Sequence, residues 1–179
     1  MKKQIRIVGL GGQGIVLSAQ LLGQAGAIEK KYVAQSSTYG PESRGTPCRA
    51  EVIISDEPID YPYVTEADFL ITLAQEGYDR FCADVRGAIL FDPKGVSPDA
   101  RVTTKQIPIP ATEISSRELD SKAVANIVIL SALVAHTSLV SKDSLKEAIE
   151  VTIGKKFREL NLKALELGWR LGLEVEAHV

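Results

Sequence analysis

A glycine-rich segment near the start of the sequence has the residue types and spacing of a phosphate-binding turn. Residues 9–14 read Gly-Leu-Gly-Gly-Gln-Gly, which fits the pattern G-x-G-x-x-G, between a β-branched run and a run with helical spacing. Glycines in such a turn let the backbone approach a pyrophosphate, and the first N–H groups of the following helix attract an anion. The residues Gly11, Gly12, Gln13 and Gly14 are therefore candidates for contact with an anionic ligand.

Four interpretations of this turn can be compared. Nicotinamide-dinucleotide binding requires an acidic residue about 20 residues further on, at the end of the second strand, to hold the ribose. That strand ends in Gln35-Ser36-Ser37, and Glu29 precedes it, so the ribose anchor is missing. A Walker-type phosphate loop is excluded because no Gly-Lys-Ser/Thr follows. The turn then serves either to pack the strand closely against the helix or to contact an anion or cofactor of another kind.

The polar loop over residues 37–45 is a second candidate site. Long loops without secondary structure are commonly functional, although a solvated surface turn is the plain alternative. In a doubly wound sheet this loop would leave the carboxyl end of the second strand beside the glycine-rich turn, where ligands bind. Its candidate residues are Tyr39, Gly40, Pro41, Glu42, Arg44 and Gly45.

Arg44 carries the permanent positive charge of this loop. Its guanidinium can make bidentate contacts to a carboxylate or a phosphate. The competing interpretation is that Arg44 only pairs with Glu42, or with Glu51 on the next strand, and holds the loop together.

Three other residues could carry chemistry. Asn126 is a polar amide within an apolar helix, so if buried it must either bond a neighbouring loop or face an interface. Cys48 and Cys82 are predicted to be buried small residues and not nucleophiles.

The hydrophobic pattern predicts an α/β, Rossmann-like fold, a mostly parallel mixed sheet flanked by helices, with a helical C-terminal part. Predicted strands cover 4–8, 32–36, 48–55, 67–73, 88–91 and 102–109. Predicted helices cover 15–28, 75–85, 123–136, 142–151 and 155–172. The strand at 48–55 follows a loop without a crossover helix, so it should be antiparallel to a neighbour and half-buried.

Composition limits the function further. The chain has 179 residues, which predicts a single domain over 1–179, with the mixed sheet to about residue 110 and the helical part over about 111–179. A net charge of −2 gives no electrostatic reason to expect nucleic acid or an anionic membrane as a partner. Two cysteines and two histidines cannot by themselves hold a four-cysteine iron–sulfur cluster, and no metal site is expected. Cysteines this sparse favour a reducing cytoplasm.

Three motifs in register resemble those of one family. GLGGQG at 9–14, YGPESRG at 39–45 and SDEPI at 55–59 are similar to the GxGGQG, YGPExRGG and ISDEPI segments of the gamma subunits of 2-oxoacid:ferredoxin oxidoreductases. Asn126 within AVANIVILSAL matches a later segment of the same family. One departure is Thr46, where the family has a second glycine. The stretch from 51 to 62 resembles the 2-oxoglutarate branch more than the pyruvate branch.

The resemblance implies a specific activity and division of labour. Enzymes of this family oxidatively decarboxylate a 2-oxoacid with coenzyme A, giving acyl-CoA and CO₂ and reducing ferredoxin. Thiamine diphosphate, with Mg²⁺, and iron–sulfur clusters lie on other subunits, the thiamine-diphosphate-binding and ferredoxin-like chains. This chain lacks a GDG…N thiamine motif. It would be an accessory subunit of a heteromultimer, inactive alone and without a catalytic residue, that helps to close the substrate or CoA side of the site.

Other substrates and functions stay open on the sequence. The favoured oxoacid is 2-oxoglutarate, and pyruvate, branched-chain 2-oxoacids and arylpyruvates are alternatives. A stand-alone dinucleotide-dependent reductase would need the ribose-binding carboxylate that is missing here. A non-catalytic module that senses a nucleotide or CoA would need no oxidoreductase partners.

Overall fold

A six-stranded mixed sheet runs through the part of the chain that the computed structural model describes, residues 1–40 and 45–176. The strands are β1 (Lys2–Leu10), β2 (Tyr32–Tyr39), β3 (Pro47–Ser55), β4 (Ala67–Thr72), β5 (Val85–Phe91) and β6 (Lys105–Pro108). The helices are α1 (Ile15–Ile28), α2 (Gln75–Phe81), α3 (Ala111–Leu119), α4 (Ala125–Thr137), α5 (Lys142–Thr152) and α6 (Lys155–Glu176).

The strand order is β2-β3-β1-β4-β5-β6, and the direction of the strands changes between β1 and its neighbour β3. β1, β4, β5 and β6 pair in parallel, whereas β3 is antiparallel to both β1 and β2. The carboxyl ends of all the strands except β3 therefore meet at one edge of the sheet, which we call the carboxyl edge. The predicted mostly parallel mixed sheet and the antiparallel placement of β3 are confirmed.

The length of β2 and the burial of β3 differ from the prediction, because both depend on contacts with neighbouring elements. β2 was expected to end at residue 36, but it continues to Tyr39, since β3 pairs Thr38 with Arg49 and Tyr39 with Cys48. The loop between these strands is correspondingly shorter. β3 was expected to be half-buried, but both of its faces are covered: Ile54 packs in the cluster with α1, and Ile53 in a separate cluster on the other face.

Smaller differences concern the ends of other elements. The last strand was expected over 102–109 and covers only Lys105–Pro108. The predicted helix over 75–85 ends at Phe81, and a single 3-10 turn over Cys82–Asp84 leads directly into β5. The helix expected over 123–136 becomes a 3-10 turn over Lys122–Val124 followed by α4. Helix α1 has the predicted bounds, and the Ser141 side chain caps α5 by accepting from the Ser144 N–H, as expected.

The helices form unequal layers on the two faces of the sheet. α2 packs on one face, where its Tyr78 joins a core cluster with Val8 of β1. The other face is covered by α1 and α4, and α4 is buried continuously from its first residue to Ala135. α6 lies over α4, where Gly168 leaves no room for a side chain beside the Val128 carbonyl. Among the described residues, none of the helices combines the length and the hydrophobicity needed to cross a membrane.

Candidate functional site

The glycine-rich turn is built as the sequence predicts, between the end of β1 and the start of α1. Gly12 and Gly14 have φ angles of +94° and +73°, in the left-handed region that favours glycine. The Gln13 side chain spans the turn: its Oε1 accepts from the Leu10 N–H at 2.6 Å, and its Nε2 donates to the Leu73 carbonyl at 3.3 Å. Gln13 therefore ties the ends of β1 and β4 together, so its first role is structural.

The returning end of the second candidate loop is hydrogen-bonded to this turn. The Gly11 N–H donates to the Thr46 carbonyl at 2.8 Å, and the Gly45 N–H donates to the Gly11 carbonyl at 3.2 Å. Gly45 has a φ of +74°, and Gly40 lies against the Thr46 side chain. The two predicted site segments thus lie together at the carboxyl edge. Tyr39 is the last residue of β2. Three candidates of this loop, Pro41, Glu42 and Arg44, lie outside the described residues.

Asn126 joins the helical part of the chain to the same turn. It lies in the first turn of α4 and is only 3% exposed. Its Nδ2 donates to the Gly14 carbonyl at 3.1 Å and to the Ser18 hydroxyl at 3.2 Å. A Cβ atom at Gly14 would collide with this amide. Of the two alternatives for Asn126, the bond to a neighbouring loop is the one found.

A cleft of about 350 Å³ opens beside the turn, on the face that carries α1 and α4. We call it the turn cleft. Its lining residues are Gly12, Gln13, Leu73, Thr112, Lys122, Ala123 and Ala125. The cleft is bordered by the starts of three helices: α1 follows Gln13, α3 includes Thr112 in its first turn, and α4 begins at Ala125.

The electrostatics of the turn cleft favour an anion. The first N–H groups of each helix have no partner within that helix, and the helix dipoles add positive potential there. Lys122 contributes an exposed ammonium, and within the described segments no carboxylate lies in ion-pair distance of it. The start of α3 adds less to this potential, because the buried carboxylate of Asp92 accepts there from the Thr112 N–H at 2.9 Å and from the Thr112 hydroxyl, and also from the Lys94 N–H at 3.0 Å.

A smaller recess of about 100 Å³ lies on the α2 side of the same turn. We call it the arginine pocket. Its lining residues are Gly9, Thr38, Pro47, Cys48, Arg49, Glu76, Gly77, Arg80 and Phe81. Cys48 borders this pocket but packs in the core cluster with α1. Burial raises the pKa of its thiol, which keeps the sulfur protonated at neutral pH and agrees with the predicted packing role. Cys82 is only half-buried, less than predicted, and burial also raises the pKa of its thiol.

The donor set of the described residues does not fit a metal cluster. Across residues 1–40 and 45–176, no three side chains of His, Cys, Asp or Glu converge closely enough to hold an ion. Cys48 and Cys82 cannot supply the four thiolates of an iron–sulfur cluster.

The residues of these two recesses that were not predicted from the sequence include Arg49, Arg80, Thr112 and Lys122. They come from β3, α2, α3 and the 3-10 turn before α4, which are far apart along the chain. None belongs to a recognisable motif, so only the strand order could have brought them together.

Fold and site together define the class. A glycine-rich turn at the carboxyl edge, beside the point where strand direction changes, is the ligand-binding arrangement of open α/β proteins. The chain belongs to the pyruvate ferredoxin/flavodoxin oxidoreductase family, which it matches over residues 4–171. The resemblance seen in the three sequence motifs is thereby confirmed.

Relatives in two branches of this family cover almost the whole chain. The 2-oxoglutarate synthase subunit KorC of Methanocaldococcus jannaschii is 42% identical over 180 residues, covering 98% of this chain and 96% of the relative. The pyruvate synthase subunit PorC of Methanothermobacter marburgensis is 33% identical, covering 93% of this chain and 95% of the relative. Among solved structures, the gamma subunit of a keto/oxoacid ferredoxin oxidoreductase from Geobacter sulfurreducens superposes with a TM-score of 0.87 at 34% identity, covering 97% of this chain and 98% of that one.

Proposed function

We propose that this chain is the accessory gamma subunit of a 2-oxoglutarate:ferredoxin oxidoreductase. The complete enzyme would decarboxylate 2-oxoglutarate oxidatively with CoA, releasing acyl-CoA and CO₂ and passing the electrons to ferredoxin. The similarity to the KorC subunit at 42% identity supports this branch, and the PorC relative at 33% identity keeps pyruvate as the alternative substrate.

The chain would bind and orient an anionic reactant and would not react with it. The observation that carries this role is the turn cleft, where the starts of α1 and α4 and the ammonium of Lys122 border one cavity beside the glycine-rich turn. A carboxylate of the oxoacid or the phosphates of CoA are the anions that the proposed reaction supplies. The sequence predicts no catalytic residue on this chain, so the reaction itself would take place on groups held by partner chains.

The cofactors of the proposed enzyme would lie on its other subunits. Thiamine diphosphate, with Mg²⁺, supplies the stabilised carbanion left when CO₂ departs, and iron–sulfur clusters carry the electrons. Neither the sequence motifs nor the cysteines of this chain fit these groups, so thiamine-diphosphate-binding and ferredoxin-like chains are the proposed partners. We place the assembly in the cytoplasm, with residues 1–179 acting as one gamma domain.

Reconstitution with the partner subunits tests the proposal. We expect oxoacid- and CoA-dependent reduction of ferredoxin that requires this chain and that prefers 2-oxoglutarate to pyruvate. The variant Lys122→Ala should lower kcat/KM about tenfold, equivalent to about 1.4 kcal/mol, because it removes the ammonium of the turn cleft. Lys146→Ala, an exposed lysine on α5, is the matched control and should be neutral. Full turnover without this chain would refute the proposed function.

The loop residue Arg44 gives a second test of the same function. In the reconstituted complex, Arg44→Ala should lower turnover at least about tenfold while assembly and thermal stability are kept. Arg44→Lys should restore little, because lysine keeps the charge but loses the guanidinium fork. Unchanged turnover would make the loop a plain surface turn, and loss of assembly would make Arg44 an assembly residue.

A further inference from the structure

Three guanidinium groups surround one aromatic ring beside the arginine pocket. The Cζ atoms of Arg6, Arg49 and Arg80 lie 4.6, 5.6 and 5.3 Å from the centroid of the Phe81 ring. Cations favour the face of an aromatic ring, so Phe81 helps to gather these positive charges. It does not neutralise them, because a ring carries no net charge.

The three arginines share too few carboxylates. Glu51 Oε1 is 2.7 Å from Arg6 Nε and 3.9 Å from Arg49 Nε, so the close ion pair belongs to Arg6. Within the described segments, no carboxylate lies in ion-pair distance of Arg80. The pocket itself is lined by two guanidiniums, those of Arg49 and Arg80, and by one carboxylate, that of Glu76. With Arg6 and Glu51 included, three positive charges face two negative ones.

The dimensions of the pocket suit one small anionic group. Its volume is only about 100 Å³, smaller than the turn cleft at about 350 Å³. That space accommodates a single phosphate or carboxylate, whereas a nucleotide would have to remain mostly outside. The Thr38 hydroxyl also lines the pocket and can donate a hydrogen bond to an oxyanion.

The pocket and the turn cleft flank the same glycine-rich turn. Gly9 lines the arginine pocket, and Gly12, three residues later, lines the turn cleft. Phe81 of the arginine pocket packs against the α2 cluster, whereas Leu73 and Ala125 of the turn cleft pack in the cluster with α1 and α4, so the two recesses open on opposite faces of the sheet.

We propose that the arginine pocket binds one oxyanion group, held by Arg49 and Arg80, as a subsite separate from the turn cleft. The guanidinium fork matches the two oxygens of a phosphate or a carboxylate, which a lysine could not do. The identity of the ligand rests on the proposed function: the group is either the 3′-phosphate of CoA or a carboxylate of the 2-oxoacid.

Calorimetric titration of the full chain tests the pocket. The probes are CoA, dephospho-CoA (which lacks the 3′-phosphate), 2-oxoglutarate and inorganic phosphate. Arg80→Gln and Arg49→Gln should each weaken binding of the occupying probe at least about tenfold. If CoA is weakened and dephospho-CoA is not, the group is the phosphate; if 2-oxoglutarate is weakened, it is the carboxylate.

Two further variants make the test specific. Glu76→Gln should strengthen binding about two- to threefold, because it removes the opposing charge of the pocket. Arg86→Gln is the matched control and should be neutral, since Arg86 lies near the opposite end of β5 and pairs with Glu66. Arg80→Gln is the cleaner of the two arginine variants, since Arg80 makes no close ion pair within the described segments and its loss should not affect folding.

The outcomes separate this proposal from the proposed function. Affinities that Arg49→Gln and Arg80→Gln leave unchanged, or no binding of any of the four probes, would overturn the subsite. In that case turnover by the reconstituted complex would leave the function standing. Conversely, the chain could bind phosphate in a way that depends on the two arginines while the complex shows no oxoacid turnover. That result would support the subsite and refute the proposed function.

Discussion

The Asn126 side chain connects α4 to the glycine-rich turn through two hydrogen bonds, one to the Gly14 carbonyl and one to the Ser18 hydroxyl. Both acceptors lie on residues far from α4 in sequence. Gly14 is therefore restricted twice, by its left-handed backbone and by the amide that occupies the space of a side chain.

Asn126→Ala should lower the free energy of unfolding by about 1–3 kcal/mol, because it removes two buried hydrogen bonds and creates a small cavity. Urea unfolding measures the effect. The matched control is Asn161→Ala, whose amide donates to the Phe157 carbonyl one turn away in its own helix, at 2.8 Å. The control should be milder, because its single bond stays within one helix, whereas the two bonds of Asn126 join α4 to the turn and to α1. Equal losses in the two variants would contradict a special role for Asn126.

The Glu29 carboxylate holds the start of α5 against the end of α1. It accepts a hydrogen bond from the Ser141 N–H and pairs with Lys31 Nζ at 3.0 Å. Burial works to raise the pKa of Glu29, but the bonds from Ser141 and Lys31 outweigh it, so the pKa lies below its ordinary value of 4.5. A carboxyl with a lowered pKa stabilises the fold above the unfolded-state pKa and loses that effect as the pH falls through the folded-state pKa.

Glu29→Gln should therefore destabilise the protein by about 1–2 kcal/mol near neutral pH, since it removes a charge-assisted hydrogen bond. The difference from the wild type should shrink as the pH falls below the ordinary value of 4.5. Denaturant unfolding at a series of pH values checks this. Glu147→Gln, an exposed residue of α5, should show no such pH dependence. A constant difference at all pH values would rule out the ionised form as the stabilising one.

At the scale of elements, a row of polar side chains crosses the antiparallel half of the sheet. Arg6 on β1 is paired with Glu51 on β3, which is paired with Ser36 on β2. The Arg6–Glu51 ion pair is nearly inaccessible to solvent, and the Ser36 hydroxyl donates to Glu51 Oε2 at 3.3 Å. A slip of one residue would turn Glu51 to the apolar face under α1, so this row fixes the register of the three strands.

Arg6→Met should destabilise the protein by about 3–5 kcal/mol, because it leaves the Glu51 carboxylate buried without its partner. The double variant Arg6→Met/Glu51→Leu should recover most of this loss, as buried ion pairs are often replaced by apolar residues at little cost. The control pair is Arg86–Glu66, equally close at 2.6 Å but half-exposed; Arg86→Met should cost at most about 1 kcal/mol. Thermal and urea unfolding of the three variants, each compared with the wild type, measure these effects.

Elements with local signals were predictable from the sequence, and those with distant partners were not. Helix α1 was predicted from its apolar spacing and α5 from its Ser141 cap, both of which are local. The end of β2 was not, because Ser37 and Thr38 carry no strand pattern and become a strand only where β3 offers hydrogen bonds. The same contrast holds at the site: the motif predicts Gly12 and Gln13, but the contribution of Lys122 depends on the packing of α4 against the turn.

At the scale of the whole molecule, the described residues form two recesses bordered by basic side chains, and none of their side chains converge as the ligands of a metal cluster. Purified alone, it should show no visible absorbance from an iron–sulfur cluster and no bound thiamine diphosphate. Absorption spectroscopy and iron analysis measure this directly. A stoichiometric cluster on the lone chain would contradict the accessory role, whereas colour that appears only on mixing with partner subunits would support it.

The position of α4 between the sheet and α6 has a consequence for synthesis. α4 is apolar on all sides and is covered by α6, whose last residue, Glu176, comes 39 residues after Thr137. At about 5–20 residues per second, the ribosome needs roughly 2–8 s to make this stretch. During that interval the apolar surface of α4 is not yet covered by α6. The nascent chain is then most exposed to binding by chaperones or to aggregation with other unfinished chains.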